Sequence, residues 1–148
     1  MKDVRNIVVA TDFSDLAEHA LDEAVELAEK LGAKITLVHS YEIPIYGFPD
    51  GILVASAEVT GQIQTASQKQ LADAAERHKS SAVSITSVLR MGAPWDEISA
   101  VAAETGAGLI VIGTHGRRGI SRALLGSVAE RVIRTATLPV LVVHRAAP

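Results

Sequence analysis

The chain has 148 residues, a formal net charge of −3 at pH 7 and no cysteine. The lack of cysteine excludes disulfides, thiolate catalysis and cysteine metal sites, and the charge gives no general attraction to nucleic acid or acidic membranes. No apolar run approaches the ~20 residues that span a bilayer, so we expect one cytoplasmic domain over residues 1–148 with no membrane and no nucleic-acid partner.

The first part of the chain predicts a strand, a helix and a second strand. Residues 7–10 are typical of a strand buried on both faces. Ser14 is a favourable N-cap for a helix that we expect to end at Gly32. A second strand is predicted over residues 34–39, and the Pro- and Gly-rich segment 41–54 indicates an irregular flap.

The middle of the chain continues the alternation of predicted strands and helices. We expect a long helix from about Ala55 to Ser80 and a third strand over residues 83–89. Pro94 suits the first position of the next helix. The apolar stripe of the long helix consists of Val59, Ile63, Ala66, Leu71 and Ala74.

The last part adds a fourth strand at residues 109–112, a helix over 127–136 and a fifth strand at 140–143. Such alternation predicts an α/β fold, with a parallel sheet and helices on both faces. Ligands of these sheets bind beyond the carboxyl ends of the strands, where the strand order reverses. Asp12 and Gly113 both follow strands, so they face one crevice if those two strands are neighbours.

The segment between the fourth strand and the last helix predicts a phosphate cradle. Glycine lets the backbone approach a ligand closely, and the helix start at Ser127 offers unpaired N–H groups and a positive dipole end. The alternative is a structural turn beside a solvated basic surface. The residues concerned are Gly113, Gly116, Gly119, Gly126, Arg117, Arg118 and Arg122.

Four short motifs carry a resemblance to a known family. Three are Asp12-Phe13-Ser14 after the first strand, Val38-His39 at the end of the second, and Gly92-x-Pro94 before the third helix. The fourth and most specific is Gly113-x2-Gly116-x9-Gly126-Ser127. With them, the whole chain resembles a universal stress protein of the ATP-binding kind, whose signature is that fourth motif.

The resemblance implies a fold, a ligand and an assembly. The implied fold is Rossmann-like and similar to the adenine-nucleotide alpha-hydrolases, with five parallel strands in the order 3-2-1-4-5. The implied ligand is one ATP per subunit with Mg²⁺ or Mn²⁺, and the implied role lies in the stress response. The implied assembly is a homodimer that pairs through Pro139 to Val143, where an apolar edge strand would otherwise leave backbone groups unpaired.

The resemblance also assigns site residues. Asp12 matches the aspartate that contacts metal and nucleotide, and the backbone at Ser40 matches the adenine contact. The phosphate contacts match Gly113, Gly116, Gly126 and Ser127. We add the neighbouring Thr11 and Arg117 as candidate nucleotide contacts, since an arginine fork pairs well with phosphate oxygens.

Other interpretations of these residues stay open. The alternative role of Asp12 is a cap for the first helix, and we expect His39 and His115 to have structural roles. The chain lacks the Gly-x4-Gly-Lys-Ser/Thr and protein-kinase motifs. We therefore expect ATP to be a regulatory ligand; the alternatives are slow hydrolysis or self-phosphorylation at Ser121 or Ser127, and an interaction module that binds no nucleotide.

Overall fold

The computed structural model describes residues 3–115 and 125–145. The strands are β1 (Asn6–Ala10), β2 (Lys34–Tyr41), β3 (Ile45–Phe48), β4 (Gly51–Val54), β5 (Ile85–Met91), β6 (Leu109–Gly113) and β7 (Val140–Val143). The helices are α1 (Asp15–Leu31), α2 (Ala57–Arg77), α3 (Pro94–Glu104) and α4 (Ser127–Thr135). None of these described helices is long and apolar enough to cross a membrane.

Five of the strands form one parallel sheet in the order β5-β2-β1-β6-β7. Numbered along the chain without β3 and β4, this order is 3-2-1-4-5, so the predicted fold is confirmed. The chain adds β2 and β5 on one side of β1 and then crosses to add β6 and β7 on the other side. The strand order therefore reverses between β1 and β6.

Two apolar cores cover the two faces of this sheet. Ile7 and Val9 of β1 belong to the core that contains the buried residues of α1 and α2. Val8 and Ala10 belong to the core that contains the buried residues of α3 and α4. Because successive strand side chains point to opposite faces, residues 7–10 of β1 face both cores in turn, and all four are apolar.

The ends of the helices follow the predicted local chemistry. The Ser14 hydroxyl accepts a hydrogen bond from the backbone N–H of Ala17 at 3.2 Å, which caps α1. α1 ends at Gly32, where φ is +64°. Pro94 is the first residue of α3, where its missing N–H costs no helical hydrogen bond.

The segment 41–54 differs from the irregular flap expected there, because it contains a β-hairpin. β3 and β4 pair antiparallel, with Phe48 opposite Gly51 and only Pro49 and Asp50 between them. A proline at the start of a tight turn is favourable because its φ is already set. Pro49 thus lies in the turn of a hairpin, and Gly51 follows it as the first residue of β4.

The expected apolar stripe of α2 was wrong over its first half. Leu71 and Ala74 are buried as expected, but Val59 and Ala66 are exposed and Ile63 is half-buried. Among the described residues, none therefore covers the first half of α2 as the stripe implied. The third main strand also lies two residues later than predicted, over Ile85–Met91 in place of 83–89.

A charged cluster ties the end of α2 to the first turns of α1. The Nε2 atom of His78 lies 2.6 Å from Oε2 of Glu18, and its Nδ1 atom lies 2.8 Å from Oδ1 of Asp22. The Arg77 guanidinium donates to Oε1 of Glu18 at 2.8 Å. Burial raises the pKa of Glu18, but the hydrogen bonds from His78 and Arg77 outweigh burial and leave that pKa below its usual value.

Candidate functional site

The carboxyl ends of β1, β2 and β6 place most of the predicted site residues at one edge of the sheet. Thr11 and Asp12 follow β1, Ser40 lies at the end of β2, and Gly113 is the last residue of β6. β1 pairs parallel with both β2 and β6, so these residues share the edge at which the strand order reverses. Such an edge is the usual ligand site of open parallel sheets.

A tight turn at residues 11–14 carries the candidate metal ligand Asp12. The backbone N–H of Phe13 donates to the Thr11 hydroxyl, and the N–H of Ser14 donates to Oδ1 of Asp12, each at 3.0 Å. Both side chains thus accept from the backbone two residues further on, as short polar side chains do in turns. Asp12 is half-buried in this turn.

Phe13 has a strained backbone within this turn. Its φ of +66° is the only positive φ of a non-glycine residue in the part of the chain that the structure describes. An L-residue in this conformation costs roughly 1–2 kcal/mol. Strain of this kind persists only where the surroundings impose it, and it is concentrated at functional sites.

His39 holds the turn from the adjacent strand β2. Its Nδ1 atom lies 2.7 Å from the carbonyl oxygen of Thr11, and its ring centroid lies 4.3 Å from that of Phe13. A carbonyl oxygen can only accept, so Nδ1 carries the hydrogen of this bond. The structural role expected for His39 is confirmed, and its partners belong to the Asp12 turn.

Ser40, the candidate adenine contact, is linked to the turn that precedes α3. Its hydroxyl donates to the carbonyl oxygen of Gly92 at 2.5 Å. The Gly92 N–H in turn donates to the carbonyl oxygen of Tyr41 at 2.9 Å. These bonds keep the end of β2 and the Gly92 turn together at the carboxyl edge of the sheet.

The described glycines of the long motif lie at close packing contacts. A Cβ atom at Gly126 would lie 2.8 Å from the carbonyl oxygen of Thr114, and one at Gly113 would lie 3.0 Å from Cγ of Leu16. The Gly126 N–H also donates to that Thr114 carbonyl oxygen at 2.6 Å. The fold itself therefore favours glycine at Gly126, where the neighbour is backbone, whether or not a ligand binds. At Gly113 the contact is tight, but the neighbour is the side chain of Leu16.

This contact between Thr114 and Gly126 sets the position of α4. It brings the start of the helix to the carboxyl end of β6, beside the strand that leads to Asp12. Gly126 is the N-cap residue and has no side chain to accept from the first turn. The first N–H groups of any helix have no partner within the helix, so α4 offers donors to an anion at this edge, and Ser127 is exposed there.

The remaining predicted contacts, Gly116 and Arg117, lie outside the described residues. Among residues 3–115 and 125–145 there is no group of three or more His, Asp or Glu side chains placed to hold a metal ion. A single carboxylate such as Asp12 fits Mg²⁺ that takes its other ligands from phosphate and water. N–H donors for an anion and one carboxylate for a cation at the same edge fit a metal–nucleotide ligand.

Comparison with known proteins places the chain in a family. The sequence model of the universal stress protein family matches residues 3–144. The chain belongs to the universal stress protein family. A universal stress protein of Methanocaldococcus jannaschii is 35% identical over 143 residues, which cover 95% of this chain and 82% of that relative.

Two solved structures of the family contain nucleotides. A universal stress protein in complex with cAMP is 30% identical and superposes with a TM-score of 0.71 over 97% of this chain and 98% of its own. The Archaeoglobus fulgidus universal stress protein in complex with dAMP is also 30% identical, with a TM-score of 0.68 over 95% and 98% of the two chains. These two relatives therefore bind adenine nucleotides.

The contribution of Phe13 was not recognised from the sequence. An aspartate followed two residues later by a capping serine indicates a tight turn. It does not indicate that the residue between them takes a positive φ, because phenylalanine is not a residue typical of that conformation.

Proposed function

We propose that the protein binds one ATP per subunit, with Mg²⁺ or Mn²⁺, as a regulatory ligand in the stress response. The observation that carries this proposal is the shared position of the α4 N-terminus and Asp12 at the carboxyl edge of β6 and β1. Backbone donors complement the phosphates, and the carboxylate complements the cation that accompanies them.

Each predicted contact has a role in this proposal. The N–H of Ser127 binds phosphate oxygens together with the backbone at Gly113 and Gly116, and Arg117 adds charge to that end of the ligand. Gly126, whose own N–H donates to Thr114, lets the phosphates approach the start of α4 closely. Asp12 binds the metal ion, with Thr11 beside it. The adenine lies against the backbone at Ser40. The cAMP and dAMP complexes of relatives support adenine as the base.

The residues at the carboxyl edge of the sheet favour a regulatory role for ATP over its rapid hydrolysis. Phosphoryl transfer requires a group that orients the attacking nucleophile as well as charge neutralisation. The described residues supply phosphate donors and one carboxylate, which suffice to hold the nucleotide. We further propose a cytoplasmic homodimer that pairs through β7.

The nucleotide in the purified protein is the direct test. The protein is purified without added nucleotide, denatured, and the released nucleotide is identified and counted by chromatography and mass spectrometry. We expect ATP near one per chain, or Mg-ATP binding by titration calorimetry if the ligand is lost during purification. ADP would indicate slow hydrolysis, and a monophosphate would move the proposal to that ligand.

Variants then assign the binding to the proposed edge. We expect Asp12→Asn to weaken Mg-ATP binding and to abolish its dependence on Mg²⁺. Asp15→Asn is the matched control, because Asp15 is an exposed carboxylate in the first turn of α1, three residues further along. Equal effects of the two variants would show that general charge, and not a metal ligand, is responsible.

An interaction module that binds no nucleotide is the second candidate. The packing at Gly126 favours it, since this glycine has a structural reason to be small. Absence of nucleotide after purification, and of binding when Mg-ATP is added, would establish this alternative.

A further inference from the structure

The turn that carries Asp12 depends on a residue of the neighbouring strand. The hydrogen bonds of Phe13 and Ser14 to the side chains of Thr11 and Asp12 define the shape of the turn. Those bonds are local and partly exposed, and they must hold Phe13 at a φ of +66°. Short local bonds of this kind have alternatives in other backbone conformations, so a further constraint is required.

His39 supplies that constraint through two different contacts. Its Nδ1–H donates to the carbonyl oxygen of Thr11 at 2.7 Å, which fixes the backbone at the start of the turn. Its ring meets the Phe13 ring with centroids 4.3 Å apart and planes inclined by 41°. The two rings are thus in direct contact, and His39 supports Phe13 from the side of β2.

The strand pairing makes His39 a rigid support. β2 pairs with β1 on one side and β5 on the other, and His39 lies opposite Leu89 in the second pairing. The Thr11 N–H continues the β1 ladder by donating to the Val38 carbonyl oxygen at 2.9 Å. His39 therefore connects the turn to the middle of the sheet.

We propose that His39 and Phe13 are positioning residues. They hold the strained turn at residues 11–14 so that the Asp12 carboxylate faces the carboxyl edge of the sheet, where the proposed nucleotide binds. The proposal rests on the proposed function, because Asp12 serves there as the metal ligand. Neither residue is assigned a contact with the nucleotide. They act through the backbone of Thr11 and through the φ of Phe13 itself.

The first measurement needs no ligand. Amide hydrogen exchange at Phe13 and Ser14 reports whether the turn is closed, since both N–H groups are donors within it. We expect His39→Leu to accelerate this exchange roughly two- to tenfold, the range that corresponds to losing one ordinary hydrogen bond. His39→Asn retains a donor near Nδ1, so it is expected to restore most of the protection.

The second measurement follows the metal-dependent part of ATP affinity. It is the ratio of the Kd values for ATP without and with Mg²⁺, which depends on Asp12 and not on the phosphate donors of α4. We expect His39→Leu to reduce this ratio roughly two- to tenfold and to leave the Mg²⁺-free Kd nearly unchanged. A loss of general stability would weaken both Kd values together.

Thr105→Val is the matched control. The Thr105 hydroxyl donates to the Val101 carbonyl oxygen at 2.7 Å, so this variant also removes one partly buried bond to a carbonyl. Thr105 ends α3 near Asn6, at the opposite edge of the sheet. It is expected to lower stability without changing the Mg²⁺ ratio.

A pair of Phe13 variants keeps the proposal testable if His39→Leu does not fold. Phe13→Ala retains the cost of a positive φ and loses the ring, whereas Phe13→Gly loses both. We therefore expect slower exchange at Ser14 in the glycine variant than in the alanine variant. Equal exchange in the two would overturn the role of backbone strain.

The possible outcomes separate this proposal from the proposed function. If the wild-type protein shows Mg²⁺-dependent ATP binding and His39→Leu retains it in full, only the positioning role is wrong. If the wild-type protein binds no Mg-ATP, the proposed function falls and the positioning role falls with it. The exchange data then still establish whether His39 closes the turn.

Discussion

Some single residues are needed both for packing of the fold and for the proposed nucleotide site. Gly126 belongs to the proposed phosphate cradle, yet an added Cβ would lie 2.8 Å from the Thr114 carbonyl oxygen. Backbone atoms cannot move aside as a flexible side chain can. Gly126→Val should therefore lower the free energy of unfolding by about 1–3 kcal/mol in the absence of nucleotide, as measured by urea denaturation.

Ser127→Ala is the informative counterpart of that variant. Ser127 is exposed at the first position of α4, so its stability should stay within about 0.5 kcal/mol of the wild-type value. Its affinity for ATP should nevertheless fall if the hydroxyl contacts phosphate. An unchanged ATP affinity in Ser127→Ala would exclude the Ser127 hydroxyl as a phosphate contact and leave its backbone N–H as the only donor of that residue.

The ion pairs of Glu18 predict a pH dependence of stability. Its pKa lies below the usual value of 4.5 in the folded protein. A lowered folded-state pKa stabilises the fold above the unfolded-state pKa, and this stabilisation is lost as the pH falls through the folded-state value. Glu18→Gln should thus be less stable than wild type at neutral pH, by roughly 1–2 kcal/mol, and the difference should vanish in acid.

Urea denaturation of both proteins from pH 7 to pH 3 measures this difference. Glu23→Gln is the control, because Glu23 lies on the same helix in an exposed pair 4.0 Å from His19, and exposed pairs contribute little. If the free energy of unfolding of Glu18→Gln differs from that of wild type by the same amount at every pH, packing and not charge is responsible.

At the scale of elements, the β3–β4 hairpin has the most exposed apolar side chains among the described strands. The apolar side chains of its strands are between 54% and 73% exposed: Ile45, Tyr46, Phe48, Ile52, Leu53 and Val54. An isolated two-stranded hairpin is only marginally stable. Its cross-strand pairs therefore add little to the stability of the domain.

Replacing residues 45–54 with a Gly-Ser linker of equal length tests whether the hairpin contributes to the stability of the domain. We expect the free energy of unfolding to change by less than about 1 kcal/mol, since changes in flexible surface connections are well tolerated. Circular dichroism should retain the signal of the main sheet and helices. A decrease in the free energy of unfolding several times larger than this would mean that the hairpin packs against the main sheet and its helices.

The hairpin also shows where prediction from the sequence ends. The first and fourth main strands were predicted because residues 7–10 and 109–112 are apolar runs, and the third was predicted from the alternation of apolar and polar residues over 83–89. β3 and β4 contain glycine and lie beside proline, and all of their residues are exposed, so no hydrophobic alternation marks them. The strand order came from the family resemblance, since apolar runs alone do not specify which strands are neighbours.

The sequence predicted the location of the candidate site but not its internal contacts. Asp12, Ser40 and Gly113 lie at one edge because parallel strands have their carboxyl ends together. The positive φ of Phe13 and the bond from His39 to Thr11 could not be predicted, because both depend on packing between neighbouring strands. The exposed first half of α2 was missed for the same reason, since a helical stripe does not show whether anything covers it.

At the scale of the whole molecule, the proposed homodimer follows from one sheet edge. Among the strands that the structure describes, β7 pairs with β6 alone. The carbonyl groups of Pro139 and Val143 face β6, where they accept from Ile110 and Thr114. Since alternate residues of a parallel strand face opposite neighbours, the N–H of Val142 points to the open edge, where a second copy of β7 could pair with it.

Val142→Pro should therefore separate the dimer without unfolding the protein. Proline is tolerated on an edge strand when its missing N–H faces outward, and the bonds to β6 at Pro139 and Val143 remain. Sedimentation should then show the monomer mass of 15.6 kDa for this variant and twice that mass for wild type. Val142→Ala is the control, because it reduces the side chain and keeps the N–H, so it should remain dimeric. Dissociation of both variants would assign the interface to side-chain packing, and a wild-type monomer would remove β7 as an interface altogether.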